Sequence, residues 1–246
     1  MNKVTKSDNV PGILIDKGTR EIALLRESVA ENEPLVFKAQ IYAADEVKKQ
    51  LKSDQFGKCA YCERSLNGDF GAVEHFRPKG GYQIEDEKYL RKPGYYWLAY
   101  DWNNLLYSCS ECNTSYKRNF FPLANENQRD IEHENIAKEE PLLLNPATDE
   151  IGDYIEFHRH LVAVKDTAPF KNKAVKTIEL FKLNDRSVLK ASRLKVWNQY
   201  ENYCKMREIA MLKGYNELLG LVNDSISKLT AEDAEFTGMF KYQRKL

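Results

Sequence analysis

Four of the five cysteines fall in two pairs of identical internal spacing, Cys59-x-x-Cys62 and Cys109-x-x-Cys112. A two-residue gap lets both thiolates of a pair reach one ion, and two pairs complete the tetrahedral shell of a zinc. With thiolate in all four positions no open site is left for water, so such a zinc is structural rather than catalytic. Its binding free energy becomes folding free energy for a unit whose own core is small. Disulfides and unliganded core thiols are the alternatives. Use of the pairs in thiol redox chemistry is the weaker reading, because no thioredoxin-like βαβ pattern surrounds them. The fifth cysteine, Cys204, reads as a small apolar packing residue.

Between the pairs lies Gly71-Ala72-Val73-Glu74-His75-Phe76-Arg77-Pro78-Lys79. Residues 72–76 can be a strand, in which Glu74 and His75 point to opposite faces, so the chain must bend for both to serve one site. A lone histidine in a strand is more often structural. Its company here is Trp102-Asn103-Asn104, a short strand running into the second cysteine pair, and a helix opening at Asn113 or Thr114. The free backbone N–H groups at such a helix start favour phosphate.

The elements that must hold these residues are legible in the periodicity. Phe37, Ile41, Ala44, Val47 and Leu51 recur at helical spacing, predicting an amphipathic helix over 36–51 that leads into the first cysteines. Residues 57–123 are dense in Cys, Gly, Pro and aromatics and read as a compact metal-stapled unit. Turn signals at Asn145-Pro146 and Gly152-Asp153 flank β-prone runs over 154–157 and 161–164, predicting a short hairpin. Phe170, Ala174, Ile178 and Phe181 share a helix face, and Leu183-Asn184-Asp185 breaks it and caps a long helix from about Arg186 to about Gly214. Further helix is expected over 215–229. Residues 1–20 read as an irregular lead-in, and Gly68, Gly71, Gly80 and Gly81 as turn glycines.

With 246 residues and 42% hydrophobic content, the chain has ample material to bury and is globular. Its zero net charge removes the simplest argument for nucleic-acid binding, a globally basic surface. The charge is nevertheless segregated. Eight Lys or Arg between Lys171 and Lys195 face only Glu179 and Asp185, while Glu126 to Glu140 holds six acids against Arg129 and Lys138. Solvated helix faces are the plain alternative for each run. His133, His158 and His160 have no partner at ligand spacing and read as surface residues. The opening MNKVTKSDNV lacks the apolar run of a secretory signal, and nowhere do eighteen apolar residues follow one another, so a soluble cytoplasmic protein is expected.

The motifs CAYCE, VEHFRPK, YYWLAYDWNNLLYSCSECN and FFPL resemble those of the zinc-stapled HNH nucleases, and more closely the PtuB-type nucleases of Septu and retron-associated antiphage defence. The likeness is dense from Lys58 to Leu123 and looser through LLLNPATDE, residues 177–186 and FTGM. It implies an α+β fold, with a ββα-metal core stapled by the four-cysteine zinc and embedded in a mainly helical chain with a long C-terminal helix. The corresponding divisions are an N-terminal arm and helix (1–56), the nuclease core (57–123), an acidic segment with the hairpin (124–168) and a helical C-terminal region (169–246).

Carried over by position, the resemblance implies His75 as general base toward water and Glu74 as ligand of a catalytic divalent ion. Asn104 would hold the intervening loop so that His75 is oriented, and Asn113 would be the second ligand, making an H-N-N variant. Carboxylate and amide oxygens suit Mg²⁺ or Mn²⁺. Arg77, Lys79, Lys117 and Arg118 would meet phosphate oxygens, or else be plain surface cations. The implied substrate is DNA or a tRNA-like RNA, and the implied partner is a separate PtuA-like ATPase subunit, since nothing here matches a Walker A loop. The helix face from Val188 to Ile209 is a candidate docking surface for it, with core packing as the competing use. A zinc-stabilised nucleic-acid-binding or assembly module without catalysis is the rival reading.

Overall fold

The computed structural model describes residues 1–68, 71–84, 89–130 and 135–244, so His133 lies outside the described residues. The fold mixes helices with two small antiparallel ribbons. In chain order, a wide-wound turn over Leu14–Gly18 leads into α1 (Thr19–Ala30), followed by α2 (Ala39–Tyr42) and α3 (Asp45–Asp54). The first ribbon pairs β1 (Gly71–His75) with β2 (Leu105–Cys109) and is followed at once by a seven-residue helix, Glu111–Lys117. Then come α4 (Ile151–Tyr154), a second ribbon of β3 (Ile155–His158) and β4 (Leu161–Val164), and the helices α5 (Lys171–Leu180), α6 (Ser187–Lys213), α7 (Asn216–Thr230) and α8 (Gly238–Lys241).

The second ribbon, α5, α6 and α7 fall where the local signals put them. Gly214 ends α6 in the left-handed conformation at φ 68°, the usual stop for which glycine carries no Cβ penalty. Three expectations are corrected. The single helix over 36–51 is broken at Ala43-Ala44, because Ala44 is extended and Asp45 and Glu46 supply a fresh helix start. Ile41, Val47 and Leu51 are still buried, so the apolar pattern reports burial correctly while missing the bend. The lead-in is largely helical from Leu14 on, and Gly18 is required there. A Cβ at that position would stand 2.8 Å from Tyr100 Cβ. Gly71 is a strand residue rather than a turn glycine, paired with Cys109 and covered by the Tyr107 ring, which leaves no room for a Cβ.

One continuous core joins residues from Met1 to Met239 and includes all four paired cysteines. Tyr61, from the first cysteine pair, stacks on Phe181 at the end of α5 with centroids 4.2 Å apart. The segregated charge is partly paired, and Lys173 of the basic run stands 3.5 Å from Glu140 of the acidic one. Arg77 meets Glu139 at 3.0 Å, Lys173 meets Asp149 at 3.0 Å, and Arg129 is held by Glu126. Three of the eight cations of the basic run, Lys173, Arg186 and Arg193, are buried rather than solvated. His160 keeps a buried Nδ1 and so is not simply a surface residue, whereas His158 is exposed and pairs with Glu156. No helix among the described residues is long and apolar enough to cross a membrane.

Candidate functional site

The β1–β2 ribbon carries a cysteine pair at one end and the His–Glu pair at the other. Register sets Gly71 opposite Cys109 and His75 opposite Leu105, so the two ends are separated by roughly 13 Å of strand. After Cys109 the chain turns into the Glu111–Lys117 helix, whose wide winding is visible in the bond from Arg118 N–H to the Asn113 carbonyl, five residues back, at 2.7 Å. Such windings concentrate at functional sites. The helix brings Lys117 back to the His–Glu end.

At the first end the sulfurs of Cys59, Cys62, Cys109 and Cys112 all lie within 4.8 Å of one another and are buried. Cys62 Sγ and Cys109 Sγ are 3.9 Å apart, far beyond a disulfide bond. Metal–sulfur bonds of about 2.3 Å in a tetrahedron give edges of about 3.8 Å. The cluster therefore fits a structural zinc, and its burial denies the solvent access that thiol exchange needs. Backbone geometry supports the same centre: Cys112 N–H points at Cys109 Sγ at 3.4 Å.

At the other end, His75 is 7% exposed. Its Nε2 lies 2.9 Å from the Ala99 carbonyl, which can only accept, so Nε2 carries the proton and Nδ1 keeps its lone pair. Nδ1 faces Lys79 Nζ at 3.5 Å, and the ring packs edge-on against Tyr42 at 4.7 Å. Burial, with Lys79 beside it, pushes the imidazole pKa down to about 3, so the ring is neutral. Glu74 is likewise buried, which pushes its carboxyl up; Lys117 opposes this with Nζ 2.6 Å from Oε1. Despite their alternation along β1, Glu74 and His75 line one cleft of about 400 Å³, because β1 ends at His75 and the chain turns away there.

The same cleft is lined by Asn113, Lys79 and Arg118. Asn104 stands behind it. Its Oδ1 accepts from Arg77 N–H at 2.8 Å, its Nδ2 donates to the carbonyls of Arg77 and Leu98, and its own carbonyl accepts from Phe76 N–H at 2.9 Å. The turn that carries Asn104 is in turn tied to the N-terminal residues. Lys6 Nζ donates to the carbonyls of Trp102 and Leu105, and Trp102 Nε1 donates to Ser7 O at 3.1 Å.

Two expected phosphate contacts turn away from the cleft. Lys117 is fully buried, donating to the His75 carbonyl at 2.8 Å besides its pair with Glu74. Arg77 faces Glu139 and lies over the rings of Phe76, Tyr95 and Phe121. Tyr42, Phe37 and Lys92 line the cleft without having been picked out from sequence. Phe37 and Tyr42 fall in the single helix expected over 36–51, whereas Phe37 precedes α2 and Tyr42 ends it; no local pattern singles out Lys92.

The fold and site define an α+β protein with a buried four-cysteine centre at one end of a short ribbon and a buried histidine–carboxylate pair at the other. No family model matches the chain, and no solved structure matches it. Septu protein PtuB of Bacillus mycoides (strain KBAB4) is 39% identical over 188 residues, 74% of this chain. Over that stretch the chain is similar to PtuB, and it spans 60% of the length of that relative. Septu protein PtuA of the same organism is 26% identical over 160 residues, which cover 64% of this chain but 22% of PtuA.

Proposed function

We propose that the chain is a metal-dependent HNH nuclease, with a ββα-metal core formed by β1, β2 and the Glu111–Lys117 helix, and that it is the effector of an antiphage defence complex. The observation that carries this reading is the state of His75. A neutral imidazole anchored through Nε2–H presents its Nδ1 edge to the cleft that Glu74, Asn113, Lys79 and Arg118 also line, and it becomes a base toward water once substrate charge draws Lys79 off Nδ1. The Glu74 carboxylate and the Asn113 amide are hard oxygen donors, and Mg²⁺ or Mn²⁺ uses one or two such protein groups together with water and phosphate. A divalent ion held there would polarise the scissile phosphodiester and stabilise the leaving oxygen.

The chain's own residues do the rest. Lys79 and Arg118 attract and orient the phosphate, whose charge would offset that of Lys79, the second cause after burial of the lowered imidazole pKa. The Ala99 carbonyl holds the tautomer, and Asn104 fixes the turn after β1 that sets the ring's position. The four-cysteine centre holds the far end of the ribbon rigid. The substrate is nucleic acid, DNA or a tRNA-like RNA, and the partner is a PtuA-like ATPase. The likeness to the two Septu proteins supports the defence assignment.

One observation favours a second reading. The Glu74 carboxylate is already neutralised by Lys117, as in a purely structural ion pair, which suits a zinc-stabilised nucleic-acid-binding module. Cleavage separates the two. Wild type and His75→Ala, each with the PtuA-like subunit, are incubated with plasmid and with total RNA in Mg²⁺ and in Mn²⁺. The nuclease reading expects cleavage by wild type only, with zinc content and circular dichroism of the variant unchanged. Binding without cleavage by both proteins establishes the module instead.

A further inference from the structure

Helix α6 sends two guanidinium groups toward the four-cysteine centre. Arg186, just before its first turn, and Arg193, seven residues on along the same face, are 6% and 3% exposed. A guanidinium does not give up its proton in a protein, so burying one requires negative charge opposite it. Arg186 finds it at the cysteines, donating through Nη1 to Cys112 Sγ at 3.2 Å and to the Phe181 carbonyl at 3.4 Å, while Nη2 reaches Glu111 at the rim. The ring of Tyr116 covers its outer face at 5.1 Å.

Arg193 is the more telling case. Its Nε and one Nη have no hydrogen-bond partner among the described residues. The charged groups that face it are Cys62 and Glu63, which attract it, and Arg186, which repels it. Glu63 is engaged elsewhere, accepting from Gly238 N–H at 3.0 Å. With neutral thiols the attraction left among these groups is that of Glu63, whose charge is already shared with the N-terminal ammonium at 3.0 Å. Four thiolates around one divalent ion carry a net charge of minus two, and two guanidinium groups cancel it.

We propose that Arg186 and Arg193 are the counter-cations of the four-cysteine metal centre, so that α6 docks on the charge of the centre and the centre keeps its metal only while α6 is docked. The proposal rests on the zinc reading of the cysteines and is independent of nuclease activity. It makes the C-terminal helical region part of the metal site rather than an appendage. Groups around the ligands of metal centres typically tune affinity by about 10- to 100-fold.

The test uses the full chain loaded with zinc and follows transfer of zinc to a chromophoric chelator. Arg186→Met and Arg193→Met are compared with their Lys counterparts and with Lys195→Met, which alters an exposed cation of the same helix. Zinc release at least about tenfold faster from both Met variants, with the Lys variants near wild type and Lys195→Met unchanged, is the expected result. Wild-type rates in the Met variants overturn the proposal, as does equal acceleration by Met and Lys, which would indicate shape rather than charge. If a Met variant does not fold, Cys112→His is added to it, because a centre of three cysteines and one histidine carries one negative charge fewer. Recovery of a zinc-loaded fold supports the charge pairing, and continued misfolding with Cys112→His tolerated alone refutes it.

Discussion

Lys117→Met tests the electrostatics of the His–Glu end. The lysine and Glu74 side chains are 0% and 4% exposed, and their charged atoms are 2.6 Å apart. Removing one partner of a buried pair costs about 3–5 kcal/mol because the other charge is left without compensation. The His75 carbonyl also loses its donor, a further cost of about 1–3 kcal/mol. Glu74 can limit the first term by taking up a proton. From an ordinary value of 4.5, protonation at pH 7 costs about 3 kcal/mol, so the smaller figure governs and the total is about 4–6 kcal/mol. A raised carboxyl contributes stability that is fully present below its ordinary pKa and lost as pH rises. The gap between variant and wild type should therefore narrow as pH falls from 7 to 5, by at most about 1.4 kcal/mol per pH unit, since burial already raises Glu74 in the wild type. Glu74→Gln combined with Lys117→Met removes both charges and should recover most of the loss. Urea unfolding of the three proteins at pH 5, 6 and 7 reads all of this. A single variant that costs under about 1 kcal/mol at every pH, or a double variant no better than the single, would refute the buried pair.

Three further outcomes are expected. His75 is held neutral with its pKa near 3, so an unfolded chain binds a proton there that the folded chain refuses, and stability falls as pH drops below 6.5; wild type should lose about 2 kcal/mol from this group between pH 7 and 5, a slope that His75→Gln abolishes in urea unfolding. Gly18→Ala, which in an ordinary helix would stabilise by about 0.5–1 kcal/mol, should instead destabilise by about 1–3 kcal/mol, because the new Cβ meets the rigid Cβ of Tyr100; a raised melting temperature would contradict the close packing. Arg118→Ala should weaken nucleic-acid binding and reduce its salt slope by about one without changing stability, whereas Arg77→Ala should leave the salt slope unchanged and lower stability by stranding Glu139; fluorescence anisotropy across a salt series and thermal unfolding distinguish the two arginines.

Much of this protein is written locally. The four-cysteine cluster is legible because a two-residue gap is a property of the chain itself, and two such gaps admit few geometries around one ion. The hairpin over 155–164 and helices α5, α6 and α7 follow from turn residues, caps and apolar periodicity, all of which act within a few residues. What a charged side chain does is decided by its neighbours in space. Lys117 and Arg118 are adjacent in sequence, yet one is sealed against Glu74 and the other lines the cleft, since the wide winding of their helix and the left-handed turn at Arg118 separate them. Arg77 and Lys79 diverge in the same way on either side of Pro78, toward Glu139 and toward His75. The break after Tyr42 and the burial of Arg186 and Arg193 depend on surfaces formed by residues far away along the chain. Only the assembled fold brings Tyr42 to His75 or α6 to Cys112, because burial and pairing energies exist only once distant segments have excluded water between them.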